Sequence, residues 1–316
     1  MLNMFNIIYA RSAAMPEPPT PSFRWTPVFT VLAIAAGGFM YRLLVFHRLE
    51  QTALLFVGIP VLLAVILACT PKAKTTMGSI LKATTLALLL SAPLLGEGFI
   101  CIVMAAPIFY AVAMMVGGLI TVAKKRANKP KQAILPCLLL ISFLPMSLEG
   151  TRPSLSFNRD EQVTARRVVA AGPQEVENAL RYSPRIDLAL PFYLRLGFPH
   201  PTEAHGEGLE PGALRRIHFA GGEGHPGDIV LQVTDYAPGR VRFRVISNET
   251  KVTHWLDLKE AEIQWHSVGN KTEVTWSLRY RRLLDPAWYF APWERYAVHL
   301  AADYLIRANA TPAGID

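Results

Sequence analysis

The stretch KTEVTWSLRYRR (271–282), followed two residues later by DPAWYFAPWERYAVHLAADYLIRA (285–308), decides how this chain is read. In the first part Thr272, Val274, Trp276, Leu278 and Tyr280 fall on one side of an extended chain. Glu273, Thr275, Ser277, Arg279 and Arg281 fall on the other, the period-two pattern of a strand with one buried face. In the second part Asp285 offers an oxygen to free helix N–H groups, and Pro286 stands where no donor is needed. Pro292 predicts a short first turn and a main helix from that point. Trp293, Tyr296, Ala297, Leu300, Ala301, Tyr304 and Ala308 then recur at helical spacing as the predicted buried stripe, with Glu294, Arg295, His299, Asp303 and Arg307 off it. A long helix with aromatic residues, laid over an antiparallel sheet, makes either a packed core or a ligand cavity.

Upstream of this pair the chain reads as more strands. Val163–Ala170 alternates, and Gly172-Pro173 opens a short helix to Leu180 with Glu175 and Glu177 at its start, where they suit the dipole. Residues 183–201 are broken by Pro184, Pro191, Pro199 and Pro201 and predict no more than a turn or two of helix around Phe192–Leu196. Five further strands are expected at Ala213–Ala220, Asp228–Tyr236, Arg240–Ser247, Val252–Leu258 and Ala261–His266, with tight turns at Pro238-Gly239 and Gly269-Asn270. Together with the last strand this makes a seven-stranded antiparallel sheet over residues 160–310, an α+β domain preceded by a linker at 150–159.

The first half is different in kind. The chain is 316 residues long and 51% hydrophobic, with a mean hydropathy of +0.25. Residues 1–150 hold 12 of the 32 basic side chains but only 4 of the 24 acidic ones, so the net charge of +8 belongs to them and the remainder is balanced. A basic total of this origin argues against a nucleic-acid partner. Five apolar runs lie at Val28–Phe46, Thr52–Cys69, Ile80–Leu95, Phe99–Val122 and Ala133–Leu148. A membrane span takes about 20 such residues. The fourth run meets this easily, and the third and fifth are short. The expected architecture is a transmembrane helical domain of about five spans over 27–149, behind a disordered tail at 1–26 whose true start is Met1 or Met15. Lys72, Lys74, Lys82 and the cluster Lys124 to Lys131 fall on the N-terminal tail's side of such a bundle, which predicts a cytoplasmic N-terminus and an extracytoplasmic polar domain. If one short run fails to span, the polar domain is cytoplasmic. Glu97, the acidic residue between the third and fourth runs, is either a functional carboxylate near membrane depth or part of a two-glycine turn at headgroup level.

Val163–Ala170 followed by Gly-Pro-Gln-Glu-Val resembles the opening strand and helix of the START-like (helix-grip) superfamily, which includes polyketide cyclases/dehydrases and lipid-transfer domains. The run Val233-Thr-Asp-Tyr-Ala-Pro-Gly-Arg-Val-Arg-Phe-Arg-Val245 is similar to that superfamily's hairpin. Leu283-Leu-Asp-Pro-Ala-Trp-Tyr-Phe290, running into a long helix, fits its C-terminal element. The resemblance covers about half the chain; with its membrane block the whole resembles bacterial membrane-anchored members. It implies a curved sheet gripping the C-terminal helix around an apolar cavity, often without catalysis.

Three functional readings follow. The first is a protein of the bacterial inner membrane whose helix-grip domain binds a hydrophobic ligand, a membrane lipid or another apolar small molecule, with Trp276, Tyr280, Trp288, Tyr289, Trp293, Tyr296, Leu300 and Tyr304 as cavity candidates. Trp288, Tyr289, Phe290, Trp293 and Tyr296 equally suit a cavity mouth at the membrane interface. The second is a cyclase or dehydratase using Asp235 and His254, each placed by strand alternation on an inward face. The third is a non-catalytic scaffold with a filled core and a protein partner that the sequence does not name. His200, His205, His218 and His225 fit no zinc spacing. With no nucleophile elbow, phosphate loop or dinucleotide fingerprint, no cofactor is expected. Cys69, Cys101 and Cys137 all lie in apolar runs and offer no disulfide framework.

Overall fold

The computed structural model describes residues 28–29, 31–33, 36, 59–71, 73–95, 99–125, 148–184, 186–220 and 226–310. In the N-terminal half these form three helices, α1 (Ile59–Cys69), α2 (Thr76–Leu95) and α3 (Phe99–Lys125). The α2–α3 pair is a close hairpin. Gly117 faces Met77 so tightly that a Cβ there would lie 2.7 Å from the Met77 sulfur, and Thr85 Oγ1 is 2.7 Å from the Tyr110 hydroxyl. Lys82 reaches back to the end of α1 and donates to the carbonyl of Thr70 at 2.8 Å, a cation on orphan C-terminal carbonyls.

Among the described residues, only α3 is long and apolar enough to cross a membrane, over Cys101–Val122, with a mean hydropathy of 2.1. The third run yields a shorter apolar helix, Thr76–Ala92, because Lys82, Thr84, Thr85 and Ser91 dilute it. Most of the first run and residues 133–147 of the fifth lie outside the described residues. The described residues thus carry one spanning-length helix rather than the five expected.

The C-terminal half is a seven-stranded antiparallel sheet with a long last helix. Its strands are β1 (Asp160–Val169), β2 (His200–His205), β3 (Leu214–Ala220), β4 (Gly227–Ala237), β5 (Arg240–Asn248), β6 (Leu256–Val268) and β7 (Lys271–Arg282). They pair in the order β1-β7-β6-β5-β4-β3-β2. This strand order with its C-terminal helix is the helix-grip arrangement.

The count of seven matches the expectation, but two strands differ. The runs Val252–Leu258 and Ala261–His266 belong largely to a single strand, β6, whose register shifts between Leu258 and Glu260. The Lys259-Glu260 pair that reads as a break is a bulge, and residues 251–254 form a 3-10 turn instead. The other is β2, an edge strand in the proline-broken stretch. Pro201 is tolerated there because an edge strand leaves one side of its backbone unpaired.

On β7 the alternation holds. Val274, Trp276, Leu278 and Tyr280 are buried, with Trp276 registered between Ala165 of β1 and Ile263 of β6. Arg282 ends the same face, also fully buried. The two remaining helices are α4 (Pro173–Leu180) and α5 (Ala287–Ala310). At the start of α4 the Gly172 amide donates to the Glu175 carboxylate at 2.8 Å, closing the capping turn.

Helix α5 runs alongside β1, held by three rungs. Arg295 forks onto Glu161 at 2.8–2.9 Å, His299 Nδ1 lies 3.2 Å from the Thr164 carbonyl, and Arg167 forks onto Asp303 at 2.8–3.0 Å. These rungs set the rotation of the helix and correct the predicted stripe. Ala291, Glu294, Ala297, Val298 and Ala302 face the sheet, whereas Trp288 and Tyr296 are 52% exposed. Small residues on that face let the helix approach closely; Trp288 and Tyr296 lie on the rim, whereas Tyr304 of the expected stripe is buried.

Candidate functional site

Between the sheet and α5 lies a cavity of about 680 Å³, within the range of roughly 300–1,000 Å³ typical of small-molecule sites. Its floor is the inner face of β4 to β7, where alternation aims Leu231, Phe243, Ile263, Trp276 and Leu278 inward. Its roof is α5, through Trp293, Glu294, Ala297, Val298, Ala301 and Tyr304. A third wall comes from the proline-broken stretch, where Tyr193 and Phe198 line the space. Tyr193 stacks edge-on against Tyr296 at 5.2 Å, and Phe198 against Trp255 at 5.2 Å. The fourth wall is the turn end of the helical hairpin, including Leu88 and Ser91 of α2 and Cys101, Met104 and Phe109 of α3. Two tyrosines join these parts. Tyr289 donates its hydroxyl to the Met104 carbonyl, and the Tyr193 hydroxyl lies 3.8 Å from the Met104 sulfur.

Of the eight cavity candidates, Trp276, Trp293 and Tyr304 line the space. Tyr280 is buried beside it with its hydroxyl unpartnered. Tyr289 is at the junction with α3, Trp288 and Tyr296 are on the exposed rim, and Leu300 is off the lining. His254 lines the cavity from the 3-10 turn. Asp235 does not: the register shifts between Val233 and Asp235, and its carboxylate is held by Arg240 at 2.8 Å. The bulge ends the alternation that would have turned Asp235 inward, so no acid–base pair with His254 is assembled. Glu97 and His225 lie outside the described residues. His218 is committed to Asp228 at 2.6 Å and His200 to the Phe198 carbonyl at 3.0 Å. Among the described residues no three His, Cys, Asp or Glu side chains converge as a metal requires. The outer-face arginines are paired across strands, Arg242 with Glu262 at 2.9 Å and Arg279 with Glu260 at 3.1 Å.

Two charged residues on the cavity wall were not foreseen. Arg215 of β3, 6% exposed, donates to the carbonyls of Leu180, Tyr182 and Gly208 and lies 5.6 Å over the Phe243 ring. Burial lowers its pKa to about 10. It fastens the loops after α4 to the sheet. Glu294 of α5 is 4% exposed, and neither of its carboxyl oxygens has a hydrogen bond of ordinary length and angle. Burial pushes its pKa up to about 8, only partly opposed by Arg282 and the Leu284 backbone amide. The sequence signal for Glu294 is its place in the row Phe290, Glu294, Val298, Ala302, where every neighbour four residues away is apolar.

No family model matches this chain, and no curated protein matches it. Among solved structures, TTHA0849 of Thermus thermophilus aligns at 12% identity over 48% of this chain and 94% of that one, with a TM-score of 0.31. Mll3558 of Rhizobium loti aligns at 18% identity over 46% and 97%, with a TM-score of 0.29. Major latex-like protein 151 of Panax ginseng aligns at 12% identity over 48% and 99%, with a TM-score of 0.26. The helix-grip assignment stands on the strand order and the helix placement above.

Proposed function

We propose that this protein is a membrane-anchored binding module whose helix-grip domain takes up a hydrophobic ligand of the lipid class. The observation that carries the reading is the continuity of the cavity wall. The sheet, α5 and the apolar hairpin α2–α3 enclose one space, so a ligand in it touches both the grip domain and the helices. The membrane part of the reading is supported by α3, where Val103, Phe109, Val112 and Met114 are exposed and the spanning stretch is only 11% buried. Such an apolar surface is stable in lipid and costly in water. Trp288, Tyr296 and Phe192, exposed around the hairpin end, suit the interfacial layer of a bilayer.

The grip domain touches the turn end of the hairpin, through Ser91 and Met104. This contact supports a reading in which the grip domain lies on the side of the membrane where α2 ends and α3 begins, with an even number of crossings between the start of α3 and residue 151. The fourth and fifth runs crossing together meet this condition. With the positive-inside pattern, such a topology puts the N-terminus in the cytoplasm and the grip domain on the opposite side, as expected for five spans in a bacterial inner membrane.

The test is native mass spectrometry of the full-length chain released from nanodiscs, together with uptake of the neutral dye N-phenyl-1-naphthylamine. A retained adduct of lipid mass, displaced by the dye, is the expected result. A clean unliganded mass with no dye uptake would sink the reading.

A further inference from the structure

The cavity wall contains one carboxyl group that no ordinary hydrogen bond satisfies. Arg215 is engaged with three carbonyls. Asn248 uses its side-chain oxygen to hold the amide and hydroxyl of Thr250, at 3.1 and 2.8 Å. Glu294 does neither. Both oxygens are buried without a hydrogen bond of ordinary length and angle, the Leu284 backbone amide and Arg282 acting on the carboxyl without satisfying it, and the side chain lies on the cavity lining. Buried polar atoms without partners are few in native proteins, and each calls for a physical reason. On the same lining the indole Nε1 of Trp276, Nδ2 of Asn248 and Nε of Arg215 are also buried without partners, but those of Asn248 and Arg215 belong to side chains anchored by their other atoms.

We propose that the carboxyl group of Glu294 hydrogen-bonds the single polar group of the cavity's ligand, that this group is an uncharged oxygen, hydroxyl or carbonyl, and that the Trp276 indole N–H is a further donor on the same wall. The inference rests on the cavity being a ligand site and narrows the lipid class to neutral lipids.

The surroundings of Glu294 select for an uncharged group. From β7 it is faced by Arg282, already bound to Asp285 at 2.8 Å, and by Tyr280. From β1 it is faced by Glu161, already forked by Arg295, and from the loop before α5 by Asp285. An anionic headgroup meets the carboxyl of Glu294 itself. A cationic one meets Arg282 and finds Glu161 and Asp285 already paired with Arg295, Arg282 and Arg159. Either charge also loses its hydration on entering an apolar space. A neutral oxygen pays none of these costs. It accepts from a protonated carboxyl, and a hydroxyl in addition donates to the carboxyl's second oxygen, while the indole N–H remains a separate donor on the wall.

The two groups are spaced along the wall. Arg295 bonds Glu161, which is registered with Tyr280, so Glu294 lies near the Tyr280 level. Trp276 is four residues earlier on β7. A ligand head between them sits toward the Arg282 end of the cavity, with its apolar body extending along Val298 and Leu231.

The test uses the full-length chain in nanodiscs loaded with N-phenyl-1-naphthylamine. Four competitors of one chain length are compared: octadecene, oleyl alcohol, oleic acid and oleylamine. In the wild type, oleyl alcohol is expected to displace the dye at about tenfold lower concentration than octadecene, the scale of a good buried hydrogen bond. E294L is expected to erase that preference while still binding dye, E294Q to keep most of it, and W276F to lose part. Using one preparation for all competitors, and comparing each variant with wild type, cancels partition into the disc. An alcohol no better than the hydrocarbon overturns the proposal, as does a preference that survives E294L. Oleic acid or oleylamine as the strongest competitor also overturns it. A wild type that takes up no dye at all sinks the cavity reading itself, a failure distinct from dye binding without head preference.

Discussion

Glu149 sets both carboxylate oxygens 3.1 Å from the backbone nitrogen of Ala287, 138 residues further along the chain. Ala287 opens α5, so the residue just past the fifth apolar run caps the helix that roofs the cavity. The contact is confined: Gly150, at φ 82°, is packed against Asp285 so closely that a Cβ would collide with its carboxylate. The place where the chain leaves the helical half is thereby latched to the cavity roof. Glu149→Ala is expected to cost about 1–2 kcal/mol, the range for losing a helix cap. The check is a lower midpoint in thermal unfolding of the full-length protein in nanodiscs, with Glu149→Gln closer to wild type.

Arg282 holds the other side of this junction. It is fully buried, bonds Asp285 Oδ1 at 2.8 Å and the Leu284 carbonyl, and lies 3.7 Å from Glu149. Asp285 also binds Arg159. Removing the central cation leaves two half-compensated carboxylates in a dry environment. Arg282→Met is therefore expected to destabilise the domain by about 3–5 kcal/mol. The double variant Arg282→Met/Glu149→Gln should recover part of that loss. A midpoint for the single variant equal to wild type would mean that the cluster is solvated.

The fold was legible because its decisive signals are local. Period-two alternation on β7 and the break at Asp285-Pro286 before α5 needed no knowledge of the rest of the chain. What was not legible depends on tertiary registration. The rotation of α5 is set by Arg295, His299 and Asp303 gripping β1, and hydrophobicity alone caught it only in part: Ala297, Tyr304 and Ala308 of the expected stripe are buried, whereas Tyr296 is exposed and Glu294, read as polar-faced, is buried. Asp235 was placed inward by extrapolating β4 past a bulge that only the pairing with β5 reveals. Glu294 was assigned to the polar face by its residue type, although its i±4 neighbours are apolar.

Glu294 gives the protein a distinctive pH dependence. Burial raises its pKa to about 8 in the folded chain, against an ordinary glutamate value of about 4.3 when unfolded. Between those values the folded state keeps a proton that the unfolded state has lost. Stability from this group is therefore highest below about pH 4.3, falls as pH rises to about 8, and is level above that. Glu294→Gln removes the dependence. The ligand-free variant is expected to unfold several degrees above wild type at pH 8.5, at about 2–4 °C per kcal/mol for a domain of this size. At pH 5 the two should converge. A constant difference across this range would show that Glu294 is not the titrating group.

Ala301 tests whether the space itself is used. It lines the cavity from α5, on a helix whose attachment to β1 runs through other residues, Arg295, His299 and Asp303. A larger side chain at this position projects into empty volume rather than into packed neighbours, so the usual overpacking cost of about 1–3 kcal/mol should be partly avoided. Ala301→Phe is expected to keep the far-UV circular dichroism of wild type and to weaken uptake of N-phenyl-1-naphthylamine at least tenfold, or about 1.4 kcal/mol. The control is Arg307→Gln, on the same helix and off the lining, which should bind dye as wild type does. If Ala301→Phe binds dye unchanged, the dye occupies the exposed face of α3 instead of the grip cavity. Tryptophan quenching distinguishes the two locations, since Trp276 is in the cavity wall and no tryptophan lies on α3.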